Sequence, residues 1–184
     1  MIATLDPRLQ LQPASRRARA WLAALTVGLP IALIGASMAM QQQTDAPAVL
    51  IWAAGVVVLV FVVIDRALHR HRIAVEDGVL EVVTTFYRRK LALAELRLDQ
   101  ARVIDLAERT EFKPMLKTNG ASLPGFHSGW FRLRNRSRAF VAIAAGPRVL
   151  WLPTTRGYDL LLQPRQPQAL LQHLRELAAA PARG

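Results

Sequence analysis

Arg88, Arg89 and Lys90 stand side by side and form the densest cationic cluster in the chain. Cations packed this closely can pair with phosphate or carboxylate groups, and beside a bilayer each is worth about 1 kcal/mol toward anionic headgroups. The same three residues also make a well-solvated turn. A second group comprises Lys113, Lys117, Asn119, Gly120 and His127, set among Pro114, Pro124, Gly125 and Gly129. Glycine and asparagine admit unusual backbone conformations, and amides exposed there beside cations can hold an anion or a peptide carboxylate. The other reading is a structural loop from Glu108 to Gly129, with at most one short strand in it, that folds over an open barrel edge, with Trp130 and Phe131 as core. Arg132, Arg134, Arg136 and Arg138 alternate along a third stretch. They mark the outer face of a hairpin that can meet membrane, RNA or the acids of a partner.

Patterns for covalent or acid–base chemistry are missing. His69, His71, His127 and His173 lack metal-ligand spacing. Neither a GxxxxGK[ST] phosphate loop nor a G-x-S-x-G elbow occurs. His127 and Ser128 are neighbours in sequence, which does not make a triad. Without cysteine there is no disulfide, no thiol nucleophile and no cysteine metal site. The sequence predicts no enzyme, no catalytic residue, no metal and no cofactor.

The net charge is +11, from 24 Lys and Arg against 13 Asp and Glu. Such an excess points to nucleic acid or to an anionic membrane surface. An arginine stripe alone does not define a nucleic-acid interface, so nucleic acid is the least favoured partner.

Two apolar runs favour the membrane. Trp21 to Met40 carries no charge, nor does Ala48 to Ile64, and only the short link Gln41 to Pro47 separates them. A membrane helix needs roughly 17 to 25 mainly apolar residues, so the first run is long enough and the second is short. Arg16, Arg17 and Arg19 precede the first run, and Arg66, Arg70 and Arg72 follow the second. The positive-inside rule then places both termini in the cytoplasm of a multi-pass protein of a bacterial inner membrane. Two other readings are a cleaved signal peptide, which normally has a shorter apolar stretch, and a pair of buried core helices. Pro30 predicts a kink, which membrane helices tolerate. The expected organisation is a basic segment over 1–19, a transmembrane hairpin over 20–68 and a cytoplasmic domain over 69–180.

From Arg72 the pattern changes to short alternating stretches. Arg72 to Glu76 and Val79 to Val83 flank Asp77-Gly78, a hairpin signal, and Thr84 to Tyr87 continue the second strand. Further strands are expected over Arg97 to Leu106, Trp130 to Arg134, Ala139 to Ala144, Val149 to Leu152 and Tyr158 to Leu162. Leu170, Leu171, Leu174 and Leu177 share one face of a helix from Pro167 to Ala178. About seven antiparallel strands and one closing helix make a small barrel or sandwich.

At three places the chain resembles the membrane-anchored bacterial pleckstrin-homology (PH)-like domain proteins. The first is the pair of apolar runs ahead of the strand-rich unit. The second is Phe86-Tyr87-Arg88-Arg89-Lys90 followed by Leu91 to Leu96. The third is the run Thr118-Asn119-Gly120 to Gly125, then Ser128-Gly129-Trp130-Phe131 and Pro153-Thr154-Thr155-Arg156-Gly157-Tyr158. The resemblance covers roughly 70–178 and implies a two-helix transmembrane hairpin followed by an α+β, mainly β, PH-like barrel with a C-terminal capping helix. Eukaryotic lipid-binding members use a basic first turn, whereas Glu76-Asp77-Gly78 is acidic, so that lipid site is not carried over. The expected function is a non-catalytic, membrane-anchored module that recognises a protein partner, a peptide or anionic lipid. The alternative is an assembly subunit, or a homo-oligomer, acting through small residues such as Gly28, Gly35, Ala36 and Ala39 in its first apolar run.

Overall fold

The computed structural model describes residues 9–12, 15–41, 46–68, 72–84, 87–144 and 146–179. Arg70, Phe86, most of the link over 42–45 and the chain after Ala179 lie outside them. Helix α1 (Arg16–Ala23) is capped by Ser15, whose Oγ accepts from the Ala18 amide at 3.2 Å. A wide π turn (Ala24–Gly28) leads into α2 (Leu29–Gln41). Pro30 explains it. Proline has no amide hydrogen and its ring collides with the carbonyl four residues back, so the helix widens there. Helix α3 (Ala46–Leu68) lies beside α1 and α2, and Arg19 Nε meets Asp65 Oδ1 at 2.9 Å.

Nine strands follow among the described residues. Strands β1 (Arg72–Glu76), β2 (Val79–Val83) and β3 (Arg88–Ala92) form an antiparallel meander. Asp77 and Gly78 both have positive φ, 48° and 71°, as the tight turn between right-twisted strands requires. Strands β4 (Arg102–Asp105), β5 (Pro114–Leu123), β6 (Phe126–Leu133), β7 (Arg138–Ile143), β8 (Arg148–Pro153) and β9 (Asp159–Leu162) form a second sheet in the order β4-β8-β9-β7-β6-β5. Helix α4 (Pro167–Ala179) packs beside it, and Arg175 ties the helix down by donating to the Leu98 and Ala101 carbonyls.

One core fills the space between the sheets. Ile73, Leu80 and Val82 of the small sheet meet Phe140, Leu150, Leu152, Leu160 and Leu162 of the large one, and Leu170, Leu171 and Leu174 of α4 close it. The opposite face of the large sheet is also buried, with Phe112, Phe131, Leu133, Val141 and Leu161 beneath the connection from β4 to β5. A third cluster joins helices to strands, where Ala18, Leu22, Phe61 and Ile64 pack on Leu123, Phe126 and Ala144.

The expected architecture needs correcting in two respects. Among the described residues one helix, Arg16–Ala36, is long and apolar enough to cross a membrane, so the two-helix transmembrane hairpin and the multi-pass arrangement do not stand. The second apolar run was already short, and its last turns pack Phe61 and Ile64 onto the strands while Asp65 pairs with Arg19. The barrel of about seven antiparallel strands is likewise replaced, among the described residues, by nine strands in two sheets. Strand β9 inserts between β8 and β7 and runs parallel to β7. The expected long loop from Glu108 to Gly129 contains the ten-residue β5. Its register shifts at Pro114/Leu116 and at Lys117/Asn119, which breaks the alternation that marks a strand in sequence.

The chain leaves β7 through a bend fixed by one buried side chain. Gln163 Oε1 accepts from the Ala144 amide at 2.9 Å, and its Nε2 donates to the Gly146 and Arg148 carbonyls at 3.1 and 3.3 Å. Leucine there would leave the buried Ala144 amide without a partner, at about 1–3 kcal/mol. Gln163→Leu is therefore expected to lower the midpoint of chemical denaturation with the slope unchanged.

Candidate functional site: an arginine–indole mouth

Sheet alternation sorts the cationic residues. Partners directly opposite in neighbouring strands share a face. Trp130 lies opposite Phe140, and Arg132 lies opposite Arg138. All four therefore sit on the face that meets the small sheet, with Phe140 buried and both arginines exposed at the end of the core. Across the gap β3 contributes Arg89, whose guanidinium lies 4.8 Å from the centre of the Trp130 ring, while that of Arg138 lies 5.9 Å away. Tyr158 stacks edge-on against the same indole at 4.9 Å. Burial pushes the Tyr158 phenol up, against the opposing pull of Arg89 and Arg156, so it stays a neutral hydroxyl at the mouth.

Two guanidinium groups thus lie over one indole, with Arg132 opposite one of them in the sheet. Neither Arg89, Arg132 nor Arg138 has a carboxylate within ion-pair distance among the described residues. Like charges directly opposite in a sheet cost stability. An anion placed between Arg132 and Arg138 removes that cost, and guanidinium on indole is a geometry that keeps the cation available while holding its plane.

The Arg88-Arg89-Lys90 cluster is divided by strand alternation. Arg88 pairs with Glu81 at 3.1 Å, and Lys90 lies opposite Glu81 in the register. Arg89 alone of the three faces Trp130. Arg72 also approaches Glu81, at 4.0 Å. Arg16 and Arg17 are exposed at the start of α1, Arg66 is in the last turn of α3, and Arg19 is held by Asp65.

The second predicted group is spread along β5 and β6. Asn119 Oδ1 accepts from the Tyr87 hydroxyl, which ties β5 to the entrance of β3. Gly120 lies opposite Gly129, and Lys117 lies opposite Phe131. Lys113 and His127 line a single cavity of about 340 Å³ with Leu106, Pro114, Ile143 and Pro147, on the side of the sheet away from the mouth. Ser122 Oγ lies 2.9 Å from His127 Nδ1. Among the described residues no group of three His, Cys, Asp or Glu side chains is close enough to hold a metal ion. Trp130 and Tyr158 are the partners that sequence reasoning did not assign to the site. The signal available was the i, i+2 spacing of Trp130 and Arg132, mirrored by Arg138 and Phe140.

Burial lowers the His127 pKa, so the imidazole is neutral at pH 7. The unfolded histidine titrates near 6.5. The unfolded chain therefore binds the proton first as pH falls. The stability contributed by neutral His127 is complete above about 6.5 and is lost as pH drops through the lower folded value. Melting between about pH 7.5 and pH 5 should lose more in the native chain than in His127→Gln, which removes this titration.

Comparison with family models, with characterised proteins and with solved structures returned no match. The resemblance to bacterial PH-like proteins therefore rests on the quoted residues alone.

Proposed function

We propose that this chain is a membrane-held, non-catalytic binding module that recognises an acidic segment of a partner protein. The helical surface supports the first half. Trp21, Leu25, Leu29, Ile31 and Leu33 of the one apolar helix are all exposed, and an exposed apolar surface of this extent asks for a cover. A bilayer supplies it, with Arg16, Arg17 and Arg19 marking the cytoplasmic side of a bacterial inner membrane. The strand domain lies on that same side, since Ala18 and Leu22 pack against it.

The single observation that carries the second half is the set of carboxylate-free arginines around Trp130. Their position selects among anions. At about 3.3 Å per residue the strand carries Arg132 about 20 Å from Phe126, and Phe126 belongs to the junction with the helices. The mouth thus lies away from the end that faces the bilayer, within reach of a protein and remote from headgroups. Anisotropy of a fluorescent peptide rich in Glu, titrated with the full chain in detergent, tests this reading. Saturable binding that weakens with added salt is expected; no binding at low salt would remove the acidic partner.

A further inference from the structure

The mouth continues into an exposed strand edge. Among the described residues β5 pairs with β6 and with no other strand. Met115 is 75% exposed and Leu116 57% exposed, more than any other large apolar side chain described outside the helices. The register shift between Pro114 and Leu116 accounts for them, because a bulge places two residues of one strand against one of its neighbour and pushes the extra side chain outward. Leu116 lies opposite Arg132, and Arg132 lies opposite Arg138. One row across three strands therefore runs from an apolar side chain into two guanidinium groups. Lys117 follows on the same edge, with no carboxylate partner among the described residues.

We infer that the partner's acidic segment is extended, alternates acidic with apolar residues, and adds as a further strand to the free edge of β5. This rests on the acidic-partner reading above and specifies how that partner is held. The backbone of β5 supplies a ladder of donors and acceptors. Side chains of an added strand fall about 5 Å from their neighbours in β5, so apolar ones cover Met115 and Leu116. Acidic ones, on the opposite face, reach Lys117. The net charge of +11 on each copy disfavours a second copy of this chain on the same edge.

The test uses the full chain in nanodiscs of zwitterionic lipid and a labelled peptide of alternating Glu and Val. Strand addition predicts that alternate N-methylation of the peptide backbone, which keeps every side chain and removes amide hydrogens, weakens binding at least about tenfold. It predicts a similar loss for Met115→Asp with Leu116→Asp. Unchanged affinity of the N-methylated peptide would overturn strand addition while leaving the acidic partner in place, and this arm is independent of whether the double variant folds. No binding of either peptide to the native chain would overturn the acidic partner itself. Light scattering of the peptide-free chain completes it. A dimer that Leu116→Asp disperses would give the edge to a second copy and overturn the proposal.

Discussion

Replacing Gly129 by alanine is expected to destabilise the strand domain by about 3 kcal/mol or more. Gly129 has φ of 114°, a conformation that residues with a Cβ rarely adopt. An ideal Cβ there would lie 2.6 Å from the Asn119 carbonyl oxygen and 2.7 Å from Gly120 Cα. Both are backbone atoms, so no side chain can swing aside. Gly120 directly opposite is equally constrained, since its Cβ would lie 2.2 Å from the Ser128 oxygen. The two glycines let β5 and β6 approach more closely than side chains allow, at the point where Asn119 meets the Tyr87 hydroxyl. Alanine must push the strands apart there and loosen that tie to β3. A fall in melting temperature of about 10 °C or more is expected. Gly78→Asn is the control. Its φ is 71°, nothing lies within 4 Å of its Cβ, and asparagine tolerates this conformation, so a small change is expected. Equal melting of Gly129→Ala and the native chain would mean that the hairpin accommodates a side chain at its closest approach.

Reversing two arginines at once, Arg89→Glu with Arg138→Glu, is expected to weaken binding of an acidic peptide about 100-fold. Each guanidinium lies over Trp130 without a carboxylate to satisfy. Each reversal removes one attraction and adds one repulsion, and about tenfold per site corresponds to about 1.4 kcal/mol. The fold should survive, because both side chains are exposed and reversal relieves the opposition of Arg132 and Arg138. Arg88→Glu separates the sites. Arg88 is occupied by Glu81 on the outer side of β3, so its reversal should leave peptide affinity within about twofold while costing stability through two facing carboxylates. Titrations at two salt concentrations, alongside circular dichroism, check both expectations. Equal losses for Arg88 and for the Arg89/Arg138 pair would point to diffuse positive charge in place of a built mouth.

Short-range features were readable in the sequence. The Asp77-Gly78 turn needs positive φ at both positions, and the leucines of α4 repeat at helical spacing. Both signals are local. The parallel β7–β9 pairing was not readable. The apolar run Leu160 to Leu162 tells that β9 is buried but not which strand lies beside it. Strand β5 escaped because its two register shifts erase the period. The second apolar run read as a membrane span because hydropathy does not register that Phe61 and Ile64 near its end pack on the helix–strand junction. The same distinction governs the candidate site. Three consecutive cations look like one patch, but strand geometry sends Arg88 and Lys90 to one side and Arg89 to the other. The indole that gathers Arg89 with Arg138 lies far from β3 in the chain, and only the packing of the two sheets brings them together.

The most direct test is equilibrium binding of one acidic peptide to the full chain in nanodiscs of zwitterionic and of anionic lipid, with Arg89→Glu/Arg138→Glu measured beside it. A membrane-held domain with its basic mouth away from the bilayer predicts saturable binding in zwitterionic discs, lost in the double variant. It also predicts little competition from anionic lipid. Loss of peptide binding in anionic discs would contradict it, because the mouth would then be facing the headgroups.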